Sequence, residues 1–151
     1  MKKFKYRLQT LLKAREQLEK ERQKQHAAAL HQVYNQQQTL RQIAKDKQDT
    51  FSGQRRGMTG SVSVAEMLVY TRHILKLKRE MLAGRELLNI LKKDEGEKRR
   101  SLMEASKEHK IYEKLKERQQ EQFNYAVEQH ATKENDEAAL NSFRLKKRVE
   151  E

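Results

Sequence analysis

The sequence contains no cysteine, no proline and no tryptophan, and only five glycines in 151 residues. Without cysteine there is neither a disulfide framework nor a thiolate to serve as nucleophile or metal ligand, which a reducing compartment accommodates. Without proline, nothing kinks or stops a helix from within. Hydrophobic residues make up 35% and aromatic residues 6%, against 37% charged, a mixture that cannot fill a globular interior. No run approaches the roughly 20 apolar residues that span a bilayer. The start, Met1-Lys2-Lys3-Phe4-Lys5-Tyr6-Arg7-Leu8, is basic, but no apolar core of a secretory signal follows it, so a soluble, intracellular chain is expected.

A chain this polar stays disordered unless its few apolar residues are periodic, and here they are. Lys, Glu, Gln and Arg dominate the remainder, and their unbranched side chains lose little freedom in a helix. Three of the five glycines, Gly53, Gly57 and Gly60, fall close together and mark a turn. Ser63-Val64-Ala65-Glu66 follows with the spacing of a capping box, in which Ser63 accepts from the third helical N–H and Glu66 reaches back. Val62 and Met67 stand where a hydrophobic staple would form across that cap.

Before the turn, Phe4, Leu8, Leu11, Arg15, Leu18, Arg22, Gln25 and Ala29 advance in steps of four and three, and the seam continues, shifted by one residue, through Leu30, Val33, Gln37, Leu40 and Ala44. After it, Met67, Thr71, Ile74, Lys78, Met81, Arg85 and Leu88 repeat the rhythm, with Leu68, Leu75, Leu82 and Leu91 widening the stripe. The expected fold is all-α: two long helices, about residues 4–50 and 63–144, joined by a turn at about 51–62 in one elongated domain, forming an antiparallel coiled-coil hairpin. A turn centred near Gly57 sets Leu40 beside Leu75, Val33 beside Leu82, Leu11 beside Leu102, and Ala27-Ala28-Ala29 against Ala83-Gly84-Arg85. At 1.5 Å per residue the second helix is about 120 Å long against about 70 Å for the first, so it overhangs. Phe123, Tyr125, Val127, Leu140, Phe143 and Leu145 lie on that overhang, apolar groups expected to lack an intramolecular partner.

No phosphate loop, dinucleotide turn, His-Glu-x-x-His pair or nucleophile elbow occurs. His26, His31, His73, His109 and His130 include no pair three or four residues apart, so no metal site and no cofactor is expected. A two-helix seam offers no desolvated pocket in which a carboxylate could become catalytic, and the expectation is a binding protein, not an enzyme. The net charge of +12 is uneven: residues 1–24 carry nine Lys or Arg against three Glu, while residues 119–143 carry Lys133 against Glu121, Glu128, Glu134, Asp136 and Glu137. A helical DNA reader shows a denser, glutamate-free basic block ahead of regular leucines, so no specific nucleic acid is expected as partner.

The stretch Phe4-Lys5-Tyr6-Arg7-Leu8-Gln9-Thr10-Leu11-Leu12-Lys13-Ala14-Arg15-Glu16 resembles the opening of the flagellar FliJ family. The likeness continues in order through Ser63-Val64-Ala65-Glu66-Met67 to Tyr70, Glu113-Lys114-Leu115-Lys116-Glu117-Arg118 and Asp136-Glu137-Ala138-Ala139. The resemblance implies a cytoplasmic stalk of the flagellar type III export apparatus, needed for flagellar assembly and motility and peripheral to the membrane at the flagellar base. It further implies three partners: the export ATPase ring, the cytoplasmic part of the export gate, and export chaperones. Carried onto this chain, the ATPase contact falls on Phe4, Arg7, Leu8, Leu11, Tyr112, Leu115 and Phe123. The gate contact falls on the exposed side of Tyr70, His73, Ile74, Leu77 and Met81, of which Ile74 and Met81 also read as seam residues. The alternatives are the stalk of a virulence-type secretion system, a basic nucleic-acid-binding coiled coil, and a coiled-coil scaffold dimerising in trans.

Overall fold

A computed structural model describes residues 4–60 and 63–149, with side chains as far as Arg144. The fold is all-α: helix α1 runs over Gln9–Gly57 (49 residues) and helix α2 over Val64–Val149 (86 residues), the two packing against each other, with no strand among the described residues.

Helix α1 begins later and ends later than its periodicity suggests. Residues 4–8 lie outside it, and the first bonds are Gln9 N–H to the Tyr6 carbonyl (3.3 Å) and Leu12 N–H to the Leu8 carbonyl (2.9 Å). The cations Lys5 and Arg7 oppose the positive end of the helix dipole, and the first turn contains no acidic residue to offset them. At the other end, the helix continues through Gly53 and Gly57, each at a cost of about 1 kcal/mol relative to alanine. Arg55 and Arg56 in the last turn complement the negative end of the dipole. The Tyr70 ring, whose Cε1 is 3.6 Å from where a Gly53 Cβ would stand, packs over the first of these glycines. The connection is therefore 58–63, closed by Met58 N–H to the Gln54 carbonyl (3.1 Å) and by the Thr59 hydroxyl to the Arg56 carbonyl (2.7 Å). At the start of α2 the Ser63 Oγ accepts from the Ala65 N–H at 3.3 Å, the second helical amide and not the third. The proposed staple residue Val62 lies outside the described residues.

The chain divides into two compact units, one of Leu18–Ala105 and the other of the residues up to Gln17 together with those from Ser106 onward. The Leu18–Ala105 unit is a helical hairpin. Ala29, Val33, Ile74, Leu77 and Ala105 are its buried apolar residues, 2–8% exposed, and fully burying a Val, Ile or Leu side chain is worth about 1.5–3 kcal/mol. Antiparallel pairing is fixed by Gly53 with Tyr70, Gln36 with Gly84 and His26 with Glu95, pairs whose numbers sum to between 120 and 123. The register expected from a turn at Gly57, with Leu40 beside Leu75, Val33 beside Leu82 and the Ala27 stretch against Gly84, is thus displaced by about one heptad. The cause is the extra helix from residue 51 to Gly57, which moves the turn toward α2. A slip of seven keeps the same faces together, so the pattern of apolar residues tolerates either register.

The faces differ in detail from the expected ones. Thr71, Lys78 and Arg85 are exposed, and the seam passes instead through Tyr70, Leu77 and Gly84. Leu30 and Ala44 are also exposed, and Ala29, Val33, Leu40 and Ile43 carry the α1 side.

In the other unit, the first two turns of α1 and the segment before it lie along the α2 residues from Ser106 onward. Arg15 pairs with Glu108, the Tyr6 hydroxyl donates to the Tyr112 carbonyl at 3.1 Å, and Tyr6 and Leu12 are buried. Phe123 was expected to lack a partner but meets Phe4, their ring centroids 5.6 Å apart and tilted by 50°. The non-helical segment reaches farther along α2 than a helix of equal length would. Beyond Phe123, Val127 and Ala131 are half-buried, whereas Tyr125, Leu140 and Phe143 are exposed. The Leu145 side chain is outside those described.

Candidate docking surfaces

The grooves along the two helices are open ones. Among the described residues, no polar or charged residue is buried, and no group of three His, Asp or Glu side chains converges on a point where an ion could sit. What the fold presents is a set of faces.

The first candidate face lies in the unit containing the N-terminal segment. Phe4 and Phe123 form its aromatic pair, and Tyr112 lends its carbonyl to Tyr6. Leu11 is half-buried, while Arg7, Leu8 and Leu115 are exposed. The structure therefore brings Phe4 together with Phe123 and anchors their surroundings through Tyr6, a residue that a helical reading of the segment overlooks. Its signal is present: Lys3-Phe4-Lys5-Tyr6-Arg7-Leu8 alternates basic and apolar residues, the period of extended chain. Phe4 and Tyr6 face inward, Lys5 and Arg7 outward. Below them, Arg15 bonds to Glu108, both partly exposed, and the Arg15 Nε is buried without a hydrogen-bond partner.

The second candidate face, on early α2, is differently disposed. Ile74 and Leu77 are 7% and 5% exposed and belong to the seam, as do the half-buried Tyr70 and Met81. Of the five residues only His73 is exposed. The accessible apolar surface of this stretch is carried by Val64, Leu68, Val69, Leu75 and Leu82. Across the seam, Ala44, Lys47, Gln48, Phe51, Ser52 and Arg55 line an open groove with Met81, and the Lys47 ammonium sits 6.0 Å from the Phe51 ring centroid. The polar middle of this unit is bridged by His26 and Glu95 at 2.8 Å.

Two long helices, a narrow apolar seam between them and the exposed faces beside it define an all-α coiled-coil protein. The family model described as the flagellar FliJ protein matches residues 4–148, nearly the whole chain, and the chain belongs to that family. It is accordingly a component of the flagellar protein export apparatus, in a family of structural stalk proteins. No curated protein and no solved structure matches the chain.

Proposed function

We propose that this chain is the coiled-coil stalk of a flagellar type III export apparatus, working at the cytoplasmic face of the membrane. Its N-terminal segment and the adjoining part of α2 dock into the export ATPase ring, early α2 contacts the cytoplasmic part of the export gate, and the stalk assists export chaperones. The observation that carries this reading is the pinned N-terminal segment. Phe4 and Tyr6 are held against α2 by Phe123 and Tyr112, which leaves Arg7 and Leu8 exposed on an ordered backbone. A surface prepared in this way loses little conformational entropy when a partner closes over it. For the gate, His73 offers exposed atoms on a helix held from behind by Ile74 and Leu77. No helix of the described residues is long and apolar enough to cross a membrane, so attachment to the apparatus falls to these faces.

The test is a pull-down of the export ATPase by the full chain and by an Arg7→Glu/Leu8→Ser variant, alongside motility of a deletion strain complemented by each. The variant should retain its helicity, lose most ATPase binding and restore swimming poorly. Normal motility in the deletion strain would remove the reading, and undiminished ATPase binding by the variant would remove the assigned face.

A further inference from the structure

Helix α2 carries a second apolar row beside its seam. Val64, Leu68, Leu75 and Leu82 are 77%, 52%, 48% and 63% exposed, although Ile74 and Leu77, on neighbouring turns, are among the most buried residues of the chain. With Thr71 and Lys78 filling the intermediate positions, the row advances in alternating steps of four and three. It therefore runs parallel to the seam instead of winding away from it. Apolar residues exposed singly on a surface require no explanation. Four on one stripe about 27 Å long, at 1.5 Å per residue, present an apolar row interrupted only at Thr71 and Lys78.

The charges around this row are mostly positive, with Glu66 and Glu86 standing at its two ends. From Met67 to Arg85 the sequence has Arg72, Lys76, Lys78, Arg79 and Arg85 against the single anion Glu80, which already stands 3.8 Å from Lys76. Arg72, Lys76 and Arg79 line a shallow groove with Leu75 and Glu80, on the side of the row away from Lys78 and Arg85. Among the described residues, Arg72, Lys78, Arg79 and Arg85 form no ion pair.

We propose that this stripe docks an amphipathic α-helix of a partner protein whose apolar residues recur at heptad spacing and whose flanking positions are Asp and Glu. A helix is the fitting shape because the row is straight and spaced as the i, i+4, i+7 anchors of helix-in-groove recognition. An acidic helix is the fitting chemistry because Arg72, Lys76 and Arg79 line the groove beside Leu75, so carboxylates flanking the partner's apolar residues there would meet them. A second copy using the same stripe is disfavoured, since it would set two cationic borders face to face, and like charges juxtaposed at an interface cost several kcal/mol. The seam behind the row holds α2 in place, so binding orders the partner and not the receiving surface. This inference is independent of the export reading, and it concerns a different row of α2 from the one bearing His73.

The experiment uses the full chain and two labelled synthetic helices of about 21 residues, three heptads. Both carry the same leucines, one flanked by glutamate and the other by lysine. Fluorescence anisotropy should show the acidic helix binding at least about tenfold more tightly, a difference of roughly 1.4 kcal/mol. Leu75→Ser/Leu82→Ser should abolish that binding with unchanged circular dichroism, and Arg72→Glu/Arg79→Glu should reverse the preference toward the basic helix. Equal binding of the two helices, or binding indifferent to the serine substitutions, would overturn the proposal. So would sedimentation showing a dimer that the serine substitutions dissociate, which would give the stripe to a second copy.

Discussion

Gly84 lies so close to Leu40 that a Cβ placed on it would stand 2.7 Å from the Leu40 Cδ2 and 3.1 Å from the Gln36 amide nitrogen. The same amide donates to the Gly84 carbonyl at 3.0 Å, so the notch is bound as well as filled. Gly96, by contrast, has nothing within 4 Å of that position. Alanine gains about 1 kcal/mol of helix propensity at either site, but overpacking costs about 1–3 kcal/mol where space is lacking. Gly96→Ala should therefore stabilise the chain by about 1 kcal/mol in urea titration, while Gly84→Ala should give no gain or a small loss. Equal gains at both sites would show that Leu40 does not fill the notch.

The pairing of His26 with Glu95 fixes the register of the hairpin, and the natural absence of cysteine makes it directly measurable. The variant His26→Cys/Glu95→Cys should form an intramolecular disulfide on mild oxidation more readily than pairs out of register, because the two positions face each other across the hairpin. His26→Cys/Leu88→Cys, which matches the register one heptad away, should resist oxidation. Gel mobility under non-reducing conditions separates the outcomes, and preferential closure of the second pair would place the turn back at Gly57.

These two sites show where the sequence is legible and where it stops. The helices, the antiparallel seam and the greater length of α2 follow from four-and-three spacing in a chain without proline. The register does not, because a heptad slip returns Val33 and Ile74 to equivalent faces and leaves burial almost unchanged. Only particular contacts, such as Gly84 beneath Leu40, break that degeneracy, and a glycine inside a helical pattern reads more readily as a breaker than as a notch. The one-residue error at Thr71, Lys78 and Arg85 has a related origin. Those positions keep the rhythm, but Tyr70, Leu77 and Gly84 keep it too, one residue earlier and with better partners. For the N-terminal segment, the helical spacing of Phe4, Leu8 and Leu11 competes with the alternation of Phe4, Tyr6 and Leu8. The alternation prevails as far as Tyr6, and Arg7 and Leu8 form a turn that leads into α1.

Arg15 occupies a seam position where an apolar residue would normally stand. Its guanidinium meets Glu108, yet the two side chains remain 33% and 49% exposed, and the Arg15 Nε is buried without a partner. An ion pair this open is worth at most about 1 kcal/mol, so Glu108→Gln should cost less than that. Arg15→Leu removes the unpaired nitrogen and leaves Glu108 in contact with water. Losing a pair this open costs at most about 1 kcal/mol and the leucine adds apolar burial at the seam, so Arg15→Leu should be neutral or slightly stabilising. A loss exceeding about 1 kcal/mol in denaturant titration would mean that the pair contributes more than its exposure allows.

Tyr6 is the strongest single attachment of the N-terminal segment, being 6% exposed with its hydroxyl 3.1 Å from the Tyr112 carbonyl. That carbonyl lies inside α2 and has a second lone pair for the tyrosine in addition to its helical bond. Tyr6→Phe should therefore cost only about 0.5–1.5 kcal/mol, the net worth of one hydrogen bond, and leave the ring in place. Tyr6→Ala removes the ring as well and should cost about 3 kcal/mol, in the range of aromatic deletions from a core. The loss should be local. Amide exchange at Gln9 and Leu12, whose N–H groups bond to the Tyr6 and Leu8 carbonyls, should accelerate strongly in Tyr6→Ala and slightly in Tyr6→Phe. Amides around Ile74 and Leu77, in the other compact unit, should be unaffected. Phe4→Ala tests the same attachment at the aromatic pair and should accelerate exchange before α1 while sparing the helix itself. If Tyr6→Ala left exchange at Gln9 and Leu12 unchanged, residues 4–8 would not be held by α2, and the exposed Arg7 and Leu8 would lose the ordered backbone on which the proposed ATPase contact depends.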